Sequence, residues 1–372
     1  MIIENIKKII TNVIKWFEKY SYLFSSFGLI LGLIITPLTL TRIDNLTNNL
    51  WISVQLFIAI LGIIVLNYLE NKISVGKIDK KHTETIRFWL TLIIQFAFGN
   101  LFSTYIVFYF RSSTLSLAWP FLLLISFILI GNELWKKHYS RLTLQICTLF
   151  LSIYMFFIFS LPILVHRIGD DIFLYSGLCS ILFIIILILT LWKFTKENFI
   201  KSKKALIFSL SGIIVSINAM YFFNIIPPIP LSLKEAGVYH NVTKESPNEY
   251  ILTAEKKTWV DYFLPGEIYH RYDDEPVYVF SSIFSPTKFD TQIIHRWSHY
   301  DKNTKKWIVY SQIKLSIVGG RDEGYRTYSN AMYVQEGLWR VDVMTSKGRM
   351  IGRVDFEIKN VKEKPVVEPI II

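Results

Sequence analysis

From residue 172 to residue 192 the chain reads IFLYSGLCSILFIIILILTLW, without one charged side chain. A run of that length matches the roughly 20 apolar residues that an α-helix needs to cross the hydrocarbon core of a bilayer. Seven stretches meet the requirement, at 22–40, 50–69, 88–110, 114–132, 142–165, 172–192 and 205–226. They explain why the chain is 52% hydrophobic with a mean hydropathy of +0.38, too apolar for one soluble core. The expectation is a seven-span α-helical membrane domain over 21–226, with the lipid bilayer as its first partner.

The basic residues give that domain an orientation. Seventeen Lys and Arg fall on the N-terminal segment and the second, fourth and sixth connections; only Arg42, Arg111 and Arg167 fall on the others. Basic residues concentrate on the cytoplasmic side, so the N-terminus is expected inside and everything after residue 226 outside. Residues 1–20 carry Ile2, Ile6, Ile9, Val13 and Phe17 at helical spacing between lysines. They read as an amphipathic segment on the inner surface rather than a cleaved signal.

Net charge is +11, which could suggest nucleic acid. After residue 226, however, 20 basic residues face 19 acidic ones, and the excess follows the membrane loops. A nucleic-acid footprint would be a basic patch on a folded domain, so no nucleic-acid partner is expected. The two cysteines, Cys147 and Cys179, both lie in apolar runs, so no disulfide staples the later half.

No charged residue occupies the middle of a span; the deepest polar side chains are Gln55, Gln95, Asn100, Gln145 and Asn218. Buried ionisable groups mark proton and ion paths, whereas amides commonly join helices. The outer connection HRIGDD supplies the one candidate site in this half: His166, Arg167, Asp170 and Asp171. Its acids equally suit the N-terminus of the next helix.

Beyond PPIP at 227–230 the period changes from helical to two. GLWRVDVM sets Trp339, Val341 and Val343 on one face, with Arg340 and Asp342 on the other. GRVDFEI does the same with Val354, Phe356 and Ile358 against Arg353, Asp355 and Glu357. Gly348 in TSKGRM provides a hairpin turn between them. With VYVFSSIFS, QIIHRWSHY and KWIVYSQIKLSI, whose expected inner face is Trp307, Val309, Ile313 and Leu315, about five strands make a β-sandwich over 275–360. Residues 227–274 read as a linker with a possible first strand, and 361–372 as a tail.

IIHRW, IVGGRDEGYRTYS and GLWRVDVMTSKGRMIGRVDFEI together resemble the bacterial envelope family catalogued as domain of unknown function 2914. The resemblance spans roughly 293–359. It implies an immunoglobulin-like domain behind several membrane spans, a bacterial inner-membrane location with the domain in the periplasm, and no catalytic residues.

His295 and His299 have helical metal-site spacing. On a strand, however, they lie roughly 13 Å apart, too far for one zinc, so no metal and no cofactor is expected. His295 shares a face with Trp297 and reads as a core residue. Arg296, Arg340 and Arg353 would project together from neighbouring strands, and Arg321 and Arg326 from a glycine-rich loop. These five are the candidate anion-binding residues; a ladder of opposite charges with Asp342 and Asp355 is the competing reading. The chain is thus expected to be a non-enzymatic envelope protein whose β-domain binds a protein or an anionic glycan. The alternative is a membrane enzyme or lipid-handling transporter acting at the outer leaflet through the HRIGDD residues.

Overall fold

A computed structural model describes residues 46–112, 115–134, 142–226, 231–246, 249–256, 267–285, 290–318 and 321–372. The expected amphipathic segment and first span lie outside the described residues. The chain divides into two compact units: one mostly helical, the other comprising Tyr109–Pro120, Pro162–Phe173 and Met220–Ile372.

The helices are α1 (Leu46–Ser74), α2 (Lys80–Ser112), α3 (Leu115–Leu134), α4 (Leu142–Val165) and α5 (Asp170–Phe222). Five helical segments are long and apolar enough to cross a membrane: Thr47–Ser74, Thr83–Tyr109, Leu142–Val165, and the two arms of α5, Asp170–Glu197 and Phe199–Phe222. In α3 the apolar stretch is the shorter Trp119–Ile130. The described residues therefore support five of the seven expected spans. The two arms of α5 meet at Thr195, whose backbone is non-helical (φ −126°, ψ 30°). The expected loop at 193–204 is instead helical around that break. Its Lys, Glu and Phe residues include no Gly or Pro to end a helix.

Two of the five amides, Gln145 and Asn218, do join helices. Asn67 Nδ2 donates to Gln145 Oε1 at 2.7 Å between α1 and α4, and Asn218 Nδ2 donates to the Tyr154 hydroxyl at 3.1 Å between α5 and α4. Ser176 Oγ donates to the Phe157 carbonyl at 3.0 Å nearby. This approach depends on Gly177: a Cβ there would lie 2.7 Å from the Tyr154 hydroxyl. Gly177→Val should therefore lower stability by about 1–3 kcal/mol through overpacking. Thermal unfolding of the purified protein in detergent would measure it, and an unchanged midpoint would refute the tight contact.

Among the described residues, the second unit has eleven strands in three sheets. β1 (Ser232–Tyr239), β5 (Val277–Ser285) and β8 (Arg321–Ala331) form one, in the order β1-β5-β8. β4 (Glu267–Tyr272), β10 (Met350–Val361), β9 (Gly337–Thr345), β6 (Asp290–Asp301) and β7 (Lys306–Val318) form the largest, in that order. β2 (Asn241–Ser246), β3 (Glu249–Glu255) and β11 (Val367–Ile371) form the third. The described part of 227–274, read from the sequence as a linker with a possible first strand, thus holds four strands, and the expected tail holds β11.

The first two sheets close over Trp297, Trp339, Val279, Val341, Val354 and Phe356. Phe280 points the other way along β5 and packs with Tyr239 of β1 and with Val242, Tyr250 and Leu252 of the third sheet. Alternation along β5 therefore serves two cores, as a strand buried on both faces requires. The order β10-β9-β6 puts the two hairpin strands beside the HRW strand, as the sequence anticipates.

Candidate functional site

Register decides what the expected arginine face becomes. Arg296 lies opposite Asp342, and Asp342 opposite Arg353 on its other side. Both arginines close on that one carboxylate: Arg296 donates to Oδ2 through Nε (3.2 Å) and Nη2 (2.7 Å), and Arg353 Nε donates to Oδ1 at 2.6 Å. Asp342 is fully buried between them although its face is the outward one. Two of the three candidate arginines are thus committed to a charge ladder.

Arg340 is different. It pairs across the sheet with Asp355 and Ser298, and its guanidinium carbon lies 4.2 Å from the centroid of the Trp307 ring. The sequence pattern assigns Trp307 and Val309 to the inner face, and the structure corrects this. Between Trp297 and Ser298 the β6–β7 register shifts, so that Trp297 opposes Ser311 while Ser298 opposes Val309. The additional residue, Tyr310, is a β-bulge, which moves everything before it in β7 to the other face. Trp307, opposite Tyr300, therefore comes to lie under Arg340, and Val309 is 50% exposed.

Charge around Arg340 is incompletely balanced. Its Nε is buried and has no hydrogen-bond partner among the described residues. Burial first, and then the Arg353 charge, hold its guanidinium below the ordinary arginine value, with Asp342 and Asp355 acting in the opposite direction. A negative charge beside Trp307 would act with Asp342 and Asp355 to favour the charged guanidinium.

Arg326 belongs to β8, in a different sheet from this face, and its carbonyl accepts from the Tyr250 hydroxyl at 3.3 Å. Arg321 opens the same strand rather than standing in a loop; its side chain and Gly319–Gly320 lie outside the described residues.

The HRIGDD residues enter a second cluster. His166 is exposed and ends α4 with a left-handed backbone (φ 57°). Asp170 Oδ1 accepts from Arg349 Nε at 2.9 Å and from the Tyr221 hydroxyl at 3.0 Å. Asp171 pairs with Arg167 at 3.1 Å and Lys347 at 3.7 Å. Arg349 also donates to the Tyr221 carbonyl at 3.1 Å and covers the Tyr221 ring at 4.4 Å. Lys347 and Arg349 come from the β9–β10 turn, where the sequence suggests only a hairpin. The two acids are therefore engaged by cations from a distant turn.

A third group has no local sequence signal. His240, between β1 and β2, directs Nδ1 at Glu275 Oε1 (2.5 Å) and Nε2 at Glu255 Oε1 (3.2 Å). Glu255 also accepts from His270 Nδ1 at 2.7 Å and from its backbone N–H at 2.6 Å. Burial pushes the Glu255 carboxyl up, but its three hydrogen bonds from His240 and His270 outweigh it and bring its pKa to about 2. Glu255 and His270 line an open cavity of about 440 Å³ together with Lys256, Glu363 and Lys364.

His295 and His299 do not converge. His295 is wholly buried between the Ser281 and Ser329 hydroxyls, at 2.9 and 2.8 Å. His299 lies against the Trp339 ring, 5.4 Å between centroids.

Residues 290–358 match the family model described as "Protein of unknown function (DUF2914)", the family that the sequence resembles. The match covers β6 to β10 and so includes the arginine face. No curated protein matches the chain. Among solved structures, the Pseudomonas fluorescens alkylpurine DNA glycosylase AlkC, bound to DNA containing an abasic site analog, aligns over 86% of this chain and 99% of its own at 8% identity. The TM-score of 0.23 carries no argument about fold or function.

Proposed function

We propose that the chain is a multi-pass protein of the bacterial inner membrane that presents its β-domain in the periplasm as a non-enzymatic binding module. Its ligand is an anionic envelope component, a glycan or the acidic surface of a protein. The observation that carries this reading is Arg340: a partly buried guanidinium stacked on Trp307, with an unpartnered Nε and like charges beside it. Arginine over an aromatic ring is a common basis for recognising carboxylate or phosphate. The ladder beneath it holds Arg296 and Arg353 in place, which preorganises the surface rather than supplying its free donors.

Topology supports the periplasmic placement. The connections carrying Arg111 and Arg167 belong to the same compact unit as the β-domain, and these are the weakly basic connections assigned outside by the charge rule. Seven spans, with the first at 22–40, would keep the N-terminus inside. The β10-β9-β6 order supports an immunoglobulin-like core, to which the parallel β4–β10 pair and the third sheet are additions. An outer-leaflet enzyme would need Asp170 or Asp171 free, and both are held in ion pairs.

In-cell photo-crosslinking tests the binding face. A photo-reactive residue at Val309, exposed beside Trp307, should yield a discrete glycan or protein adduct. The adduct should fall at least about tenfold in Arg340→Glu, since a charge-assisted contact of 1.5–3 kcal/mol is lost. Equal adduct yield in that variant, at equal protein abundance, would remove Arg340 from recognition and end the proposal.

A further inference from the structure

The cluster around His240 has a chemistry unrelated to the arginine face. Its imidazole is buried and stacked on the Tyr269 ring, 4.4 Å between centroids with planes at 23°. Both ring nitrogens face carboxylate oxygens, one from Glu275 in the turn after β4 and one from Glu255 at the end of β3. A neutral imidazole has only one N–H. With both glutamates ionised, one nitrogen lone pair would then point at a carboxylate in a partly buried site. Only the doubly protonated ring satisfies both contacts.

The surroundings keep the glutamates ionised. Glu255 takes two further hydrogen bonds from His270, and Glu275 accepts from the Tyr269 hydroxyl at 3.2 Å. Arg271, also on β4, is occupied elsewhere: it binds the carbonyls of Glu275, Val334 and Met332 and pairs with Asp274. The groups facing His240 are therefore two carboxylates and one phenol, with His270 reaching it through Glu255.

The contacts join separate parts of the domain. Glu255 belongs to the β2-β3-β11 sheet, Tyr269 and His270 to β4 of the five-stranded sheet, and His240 follows β1 of the β1-β5-β8 sheet. We infer that His240 is a proton-operated clasp between these sheets, closed while its ring carries both protons and released when one is lost. Release leaves Glu255 held by His270 alone, on the side of the cavity that the two residues line. The device thus sets how rigidly that cavity wall is held, loosening it as the medium becomes alkaline.

The direction follows from linkage. Burial lowers the His240 value, but the hydrogen bonds it donates to Glu255 and Glu275 raise it above that of a free imidazole. A group raised on folding stabilises fully below its unfolded pKa of about 6.5, and the stabilisation is lost as pH rises through the folded value.

Hydrogen exchange by mass spectrometry on the full chain in detergent, corrected for intrinsic rates, tests the clasp. Protection of peptides from Glu249–Glu255 and Glu267–Tyr272 should fall severalfold between about pH 6.5 and 9, reversibly. Peptides from Gly337–Thr345 should not change. Glu275→Gln, which removes one charge and keeps the shape, should move the midpoint to lower pH, and His240→Asn should abolish the pH dependence. Flat protection in the wild type would overturn the inference. So would an unshifted midpoint in Glu275→Gln, which decides the matter should His240→Asn not fold.

Discussion

Asp342→Ala should destabilise the β-domain by about 3 kcal/mol. Removing one partner of a buried ion pair costs about 3–5 kcal/mol, because the remaining charge stays desolvated. Here two arginines would be left without their shared acceptor. Their side chains are 29% and 19% exposed, so water reaches them in part and the low end of the range applies. Asp342→Asn should cost less, since an amide oxygen still accepts. The triple variant with Arg296→Met and Arg353→Met should recover most of the loss, because no buried charge remains. Denaturant unfolding of the full chain in detergent would read these differences. A loss below about 1 kcal/mol in Asp342→Ala would mean that the ladder is an exposed surface network of little energetic weight.

That ladder shows how far the sequence can be read. Period-two alternation puts Trp339, Val341 and Val343 inside and Arg340 and Asp342 outside, and hydropathy marks the helices, because both patterns are local. The bulge at Tyr310 is not local: nothing in KWIVYSQIKLSI announces the extra residue, yet it moves Trp307 under Arg340 and defines the candidate site. β1 to β4 escape a pattern reading for a related reason. SLKEAGVY and NVTKES have few apolar residues and become strands by pairing with β5 and β3. The clasp gathers His240, Glu255, His270 and Glu275 from three sheets. Likewise Arg349 reaches Asp170 across 179 positions of sequence. Such juxtapositions depend on topology, which one sequence does not specify residue by residue. The break at Thr195 belongs with them: its hydroxyl donates to the Leu191 carbonyl at 2.9 Å, a bond that any helical threonine can make without ending the helix.

The His295 site should make the same domain sensitive to acid, with the opposite sign to His240. Its ring is wholly buried, and burial alone brings its pKa down to about 4. The network accommodates a neutral imidazole. Trp297 Nε1 donates to Ser329 Oγ at 3.0 Å, and the Ser329 and Ser281 hydroxyls, each able to donate or accept, serve the two nitrogens of a neutral ring in either tautomer. In the unfolded chain the same histidine titrates near 6.5. Between that value and about 4 the unfolded state binds a proton that the native state refuses, so stability falls as pH drops. At about 1.4 kcal/mol for each pH unit, the loss should approach 3 kcal/mol by pH 4. Unfolding measured at pH 6.5, 5.5 and 4.5 should show this slope in the wild type and a much flatter one in His295→Gln, which starts from a lower stability. An equal slope in both would assign the acid limb to other groups. With His240 losing its contribution on the alkaline side, the β-domain should then be most stable near pH 6.5, where one histidine is still protonated and the other still neutral.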